Sequence, residues 1–203
     1  MAVELEWKYA IPDADRLEEI RRWVVRNVPE AGAEVRWQMR TTYYDAPDRR
    51  FARAQITMRR RMENGRSILC VKAPMEGSDL RGAKLRGEWE CEGTSLSDAL
   101  PGFVAKGAPK LLLEAASCGL EPVCGAEFTR IAIPLIFSGG SSELAFDSGR
   151  LLGSSRTRPL CELELEHKQG SRTESLELLE RLVRQFSLLP EPMSKYARAK
   201  ELG

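Results

Sequence analysis

Polar and apolar positions alternate with a period of two along eight stretches of this chain, at residues 3–9, 36–45, 55–61, 66–73, 83–91, 127–136, 142–147 and 159–168. That period sends neighbouring side chains to opposite faces, so each stretch predicts a β-strand. Asn64-Gly65, between the third and fourth stretches, and Gly139-Gly140, between the sixth and seventh, are tight-turn signals. Strands joined in sequence by such turns form an antiparallel sheet, and eight of them can close into a barrel with room for side chains or one small ligand. A period near 3.6 marks the helices. Leu17, Ile20, Val24 and Val28 predict one over 13–28 with Asp13 as its cap, and Leu176, Leu179, Leu182, Val183 and Phe186 predict another over 173–187. The stretch 95–120 reads as helical but broken at Pro101-Gly102 and Pro109, and 194–202 as a short helix capped by Ser194. The expected fold is α+β: an eight-stranded antiparallel β-barrel with flanking helices, in one domain over 1–203.

The charges follow the same parity. The first strand puts Glu4, Glu6 and Lys8 on one face and Val3, Leu5 and Trp7 on the other; the last does the same with Glu162, Glu164, Glu166 and Lys168 against Leu163 and Leu165. A solvated outer face would explain either run alone. Its repetition, with a lysine closing each run, points to two strands lining a shared polar interior. Arg59 and Arg61 share a face, Lys72 closes the fourth strand, and Lys84, Arg86, Glu88 and Glu90 line one face of the fifth while Leu85, Trp89 and Cys91 take the other. A barrel with its apolar face outward needs helices with wide apolar stripes to cover it, and such helices are available.

Carboxylates crowded into such an interior repel one another unless a cation sits among them. Oxygen-only ligands suit a hard divalent ion, Mg2+ or Mn2+. Arginine and lysine beside them are suited to phosphoryl oxygens, so a metal-chelated triphosphate is the most economical ligand. No Walker motif is present, which argues against a P-loop enzyme.

Composition narrows the alternatives. A net charge of +1 over 203 residues gives no bulk attraction to nucleic acid or anionic lipid. No apolar run approaches membrane length and the N-terminus lacks a basic-then-apolar leader, so a cytoplasmic protein is expected. Cys70, Cys91, Cys118, Cys124 and Cys161 form no C-x-x-C pair, and His167 is the sole histidine. A zinc site, a disulfide framework and a Ser-His-Asp unit are therefore disfavoured, and the cysteines read as small apolar packing residues.

These residues resemble the CYTH family, or triphosphate tunnel metalloenzymes, whose E-x-E-x-K signature stands here as Glu4-Leu-Glu6-Trp-Lys8. Thr42-Tyr-Tyr-Asp-Ala-Pro-Asp48 is similar to the family's Y-Y/F-D-T-P-D turn, Met58-Arg-Arg-Arg61 to its L-R-I-R strand and Cys70-Val-Lys72 to its T-x-K. Arg86-Gly-Glu88 resembles R-x-E, Ala145-Phe-Asp147-Ser-Gly149 the D-x-G turn, Pro159–Glu166 the P-I-C-E-L-E-L-E strand, and Ser194-Lys-Tyr-Ala-Arg198 the closing S-K-x-A-R helix. Within the family the pattern is most similar to bacterial inorganic triphosphatases, many of which carry a C-terminal CHAD helical domain that this sequence does not reach. Cys70 stands where threonine is usual, and Arg60 where an apolar outer-face residue is usual.

The resemblance implies hydrolysis of tripolyphosphate to pyrophosphate and phosphate with Mg2+ or Mn2+. It implies that Glu4, Glu6, Glu164 and Glu166 surround the metal, with Glu162 as a further metal-site carboxylate and Glu88 as an acidic neighbour in the catalytic set with Glu4, Glu6, Lys8 and Asp147. Lys8, Arg59, Arg61, Lys72, Arg86, Arg130 and Lys195 would contact phosphates, and Asp147 would orient a basic partner or help with a second metal. Thiamine or nucleoside triphosphate hydrolysis and ATP cyclisation are the related chemistries. A non-catalytic polyphosphate-binding module would keep the basic sector but could dispense with the full glutamate set.

Overall fold

The computed structural model describes residues 2–75 and 84–203. Nine strands run β1 Ala2–Ala10, β2 Val35–Asp45, β3 Thr57–Glu63, β4 Arg66–Pro74, β5 Lys84–Glu92, β6 Glu121–Ile136, β7 Gly140–Leu152, β8 Thr157–Gly170 and the two-residue β9 Leu189–Pro190. Residue 83, where the alternation begins the fifth strand, lies outside the described residues. Among the described residues there are six helices: α1 Ala14–Asn27, α2 Arg50–Arg53, α3 Leu96–Ala105, α4 Leu111–Ser117, α5 Thr173–Phe186 and α6 Lys195–Lys200.

The first eight strands close in the order β5-β4-β3-β2-β6-β7-β8-β1, with β1 pairing back onto β5 and every pair antiparallel. β1 achieves the closure by dividing its length: residues 2–6 pair with β5, residues 5–10 with β8, and β9 takes the edge beside Tyr9 and Ala10. The β3–β4 hairpin turns on Asn64 and Gly65, both at positive φ (48° and 90°), as a two-residue turn of primed type requires. The Asn64 side chain then accepts from the Gln38 N–H at 2.8 Å, fixing this hairpin against β2.

Leu5, Trp7, Leu144, Phe146, Leu163 and Leu165 point outward beneath α1 and α5, whose Leu17, Ile20, Val24, Leu178, Leu182 and Phe186 cover them. The Asp13 carboxylate caps α1 by accepting from Arg16 N–H at 2.8 Å. A second apolar layer packs Met58, Leu69, Val71 and Trp89 under α2, α3 and α4. The barrel is thus apolar outside and polar inside, as the strand parity predicts. A third cluster joins Tyr43, Ala126, Phe128, Leu151 and Leu160 to Tyr196, Ala199 and Leu202, so that α6 and the residues just after it close one end of the interior.

Two local expectations need correction. Pro101 does not break the helix: it sits inside α3, where flanking Leu100 and Phe103 are buried in the second cluster, and the packing outweighs the lost backbone donor. The break falls at Lys106–Lys110, around Gly107 at φ 91° and Pro109. The segment Ala145–Gly149 is not a turn but lies within β7. A Cβ at Gly149 would come within 2.2 Å of the Glu127 carbonyl and 2.5 Å of Phe128 Cα, so glycine there serves close strand approach.

Candidate active site

Register sorts the inward charges by depth. On β1, β8 and β7, Glu6 lies opposite Glu166, which lies opposite Glu143; one layer down Lys8 faces Glu164; deeper still Ala10 faces Glu162, which faces Asp147. Across the barrel Thr57 pairs with Lys72, Lys72 with Glu88, and Glu4 with Arg86. These side chains surround a cavity of about 290 Å³ whose lining includes Glu4, Glu6, Lys8, Arg59, Arg61, Lys72, Arg86, Glu88, Arg130, Glu164, Glu166 and Lys195. The predicted residues are brought together with two exceptions. Glu162 and Asp147, both fully buried, stand behind the wall rather than on it.

On the basic side, Lys72 bonds Glu4 and lies 3.2 Å from Glu88. Arg59 reaches Glu88 at 3.7 Å, and Arg61 reaches Glu90 at 3.4 Å. Burial pushes the Glu88 carboxyl up, but Lys72 and Arg59 outweigh it and hold the group at about 2. Cys70 fills the wall behind, its thiol 3.3 Å from Glu88; burial pushes it up to about 12, so it stays protonated as a donor where threonine would donate.

The acidic wall is less well compensated. Burial, Glu164 and Glu4 push Glu6 up to about 7, with Lys72 and Lys8 only partly offsetting them. Burial also raises Glu166, despite Lys168 at 2.8 Å. Glu4 Oε2 is buried without a hydrogen-bond partner among the described residues, as are Arg59 Nε and Arg61 Nε on the facing strand. Unsatisfied polar atoms of both signs therefore border one cavity, a costly arrangement in a protein alone.

The floor is balanced instead. Asp147, Glu162 and Glu164 bring carboxylate oxygens within 4.8 Å of one another, close enough to share a cation. Three basic groups already fill that role. Arg130 grips Asp147 through two bonds of 2.7 Å and also bonds Glu164; Lys195 lies 2.7 Å from Asp147 and 3.0 Å from Glu164 and bonds Glu162; Arg198 bonds Glu162 from outside. Burial opposes ionisation of Glu164, yet Lys195, Arg130 and Lys8 hold its carboxyl well below the usual range. Glu4, with one oxygen unpartnered, and Glu6 and Glu166, whose carboxyls are raised, are the carboxylates whose hard oxygens could hold a divalent cation. A second grouping, Cys70, Glu88 and Glu90, is occupied by Arg59 and Lys72.

Several lining residues escape the sequence reading. Glu63, just past the predicted third strand, continues the inward parity of Arg59 and Arg61, and Glu143 that of Asp147. Trp37, Met39, Tyr43 and Phe128 also line the cavity, so its interior is not purely charged.

An inside-out antiparallel barrel with facing acidic and basic walls defines a class of protein: a charged-tunnel barrel. The chain belongs to the CYTH family, whose domain model matches residues 2–199. It is 26% identical to the inorganic triphosphatase of Haemophilus influenzae over 166 residues, 80% of this chain, and the match spans 45% of that protein's length. A Pyrococcus horikoshii protein of known structure superposes with a TM-score of 0.60 at 21% identity, covering 98% of both chains. A Hippeastrum protein described as a putative adenylyl cyclase with dominant triphosphatase activity superposes with a TM-score of 0.61 at 16% identity, over 98% of this chain and 95% of its own. At these identities the structural likeness speaks for the fold.

Among the described residues no helix is long and apolar enough to cross a membrane.

Proposed function

We propose that this protein hydrolyses inorganic tripolyphosphate to pyrophosphate and phosphate with Mg2+ or Mn2+, as a cytoplasmic enzyme. The observation that carries the reading is the pairing of an unpartnered Glu4 oxygen with unpartnered Arg59 and Arg61 nitrogens around one cavity. A metal-chelated polyanion satisfies all three; neither an anion nor a cation alone does. The inorganic triphosphatase of Haemophilus influenzae, the relative described above, supports the same substrate.

Glu4, Glu6 and Glu166 would hold the ion, with Glu164 completing the acidic wall and the deeper Glu162 standing behind it. When bound, the ion neutralises phosphoryl oxygens and polarises the phosphorus toward attack. Lys8, Arg59, Arg61, Lys72, Arg86, Arg130 and Lys195 bind and orient the chain of phosphates, with guanidinium forks suited to two oxygens at once. A water oxygen bonds to a terminal phosphorus as the bridging P–O bond breaks. Pyrophosphate leaves into the field of the basic wall, where Glu88 holds Lys72 and Arg59 in place, and the water's proton passes to a carboxylate of the acidic wall. Asp147 keeps the Arg130 fork oriented through its two bonds.

Trp37, with Met39 and Phe128 beside it, favours a second reading in which the triphosphate carries a planar organic group. Phosphate release from tripolyphosphate, ATP and thiamine triphosphate, with and without Mg2+, separates the two. The first reading expects kcat/KM for tripolyphosphate to exceed that for ATP by at least about tenfold, or 1.4 kcal/mol. Equal or better turnover of ATP overturns it.

A further inference from the structure

Arg198 lies outside the tunnel on α6 and makes no contact with the cavity, yet it is buried and bonds Glu162 Oε2, while Glu162 Oε1 accepts from Lys195. Glu162 is fully buried and thus sandwiched between a cation that lines the tunnel and one that does not. We propose that Arg198 is a positioning residue: by neutralising Glu162 from behind, it leaves the Lys195 ammonium free to serve the anion in the tunnel. This inference rests on the polyphosphate reading of the cavity.

The charge count gives the argument its force. Three carboxylates, Asp147, Glu162 and Glu164, are ion-paired to three cations, Arg130, Lys195 and Arg198, in a buried cluster, with Lys8 beside Glu164 on the cavity side and Glu191 beside Arg198 on the other. Removing Arg198 leaves the cluster one cation short and Glu162 with Lys195 as its remaining ion-pair partner among the described residues. Lys195 is the cation touching all three carboxylates, so its ammonium would be drawn back toward Glu162 and away from the cavity. A buried ionised carboxylate without its partner is costly, and the nearest mobile positive charge compensates it. Further contacts of Arg198 fall outside the cavity as well: its guanidinium lies 3.6 Å from Glu191, whose other oxygen accepts the Met193 N–H at 2.8 Å just before the Ser194 cap of α6. Arg198 thus fixes both the charge behind Lys195 and the approach of the segment that carries it.

The test is tripolyphosphate affinity by calorimetry in EDTA, where turnover does not interfere, on wild type, Arg198→Met, Arg198→Lys and the double variant Arg198→Met/Glu162→Gln, each checked for native circular dichroism. Arg198→Met should bind about tenfold more weakly, as one displaced cation contact implies. Arg198→Lys should stay within about threefold of wild type. The double variant, which restores the balance of charge, should bind more tightly than Arg198→Met alone, a rescue that loss of packing would not show. Arg198→Met binding as wild type, or a double variant no tighter than Arg198→Met, overturns the inference. If Arg198→Met does not fold, the comparison of Arg198→Lys with the double variant decides, with both expected near wild type and a tenfold loss in either counting against it. Where binding needs Mg2+, KM for tripolyphosphate makes the same comparison, and failure of wild type both to bind and to hydrolyse tripolyphosphate would instead overturn the polyphosphate reading.

Discussion

Replacing Glu6 by glutamine should stabilise the metal-free protein while removing its metal-dependent turnover. Burial, Glu164 and Glu4 raise the Glu6 carboxyl from 4.5 to about 7. Between those values the folded state keeps a proton that the unfolded chain has released, so Glu6 lowers stability progressively as pH rises through the window, and the loss persists above it. A shift of that size corresponds to about 3 kcal/mol. Glu6 keeps partial contact with water, so about 2 kcal/mol is the figure to expect after screening. Glutamine has nearly the same shape and never ionises. In EDTA at pH 8, Glu6→Gln should therefore melt about 4–8 °C above wild type, and the difference should vanish near pH 4. Saturating Mg2+ should reverse the order, since wild type gains about 2.7 kcal/mol at a hundredfold excess over Kd and the variant gains little. Thermal melts at the two pH values, with and without Mg2+, supply the assay. A variant less stable than wild type at pH 8 in EDTA, or a gap of the same size at pH 4, would refute the account of a charge-strained acidic wall.

Arg59→Ala and Arg61→Ala should each lower kcat/KM for tripolyphosphate about 10- to 100-fold, the loss of one charge-assisted contact; unchanged kinetics in both would remove them from the substrate path. Asp45→Ala strands the N–H groups of Ala46, Phe51 and Ala52, which its buried carboxylate accepts at 2.8, 3.0 and 3.1 Å. It should cost about 2–4 kcal/mol in urea unfolding, and a wild-type midpoint would contradict the bonds described. Gly149→Ala should cost about 1–3 kcal/mol by forcing β6 and β7 apart, read as a lower melting temperature; an unchanged melt would show that the strands part freely.

Strand parity made most of the barrel legible because an inside-out sheet writes its polarity into every second residue. Glu4, Glu6 and Lys8 on one face with Leu5 and Trp7 on the other could be read without coordinates. Depth could not. Glu162, Glu164 and Glu166 are equivalent by period, yet Glu166 borders the cavity, Glu164 belongs to both cavity and floor, and Glu162 lies behind Lys195. That difference arises from where α6 docks, a tertiary event with no local signature. The continuity of α3 through Pro101 is illegible for a related reason: the cost of proline is local, while the burial of Leu100 and Phe103 that offsets it depends on strands β3 to β5. The four-residue α2 and two-residue β9 are too short to show any period at all.

The closing role of β1 bears on how the molecule can be made. Glu4 and Glu6 leave the ribosome before β8 and α6, but β1 pairs with β8 and the tunnel floor needs Lys195 and Arg198, so the two strands of the acidic wall meet across more than 150 residues of intervening chain. Contacts at such separation form late, after the helix-covered hairpins between them. Until then the charged faces of a partly built sheet lie open to water, while its apolar outer face waits for α5 to cover it. Turning the charges inward thus couples the appearance of a working site to synthesis through α6.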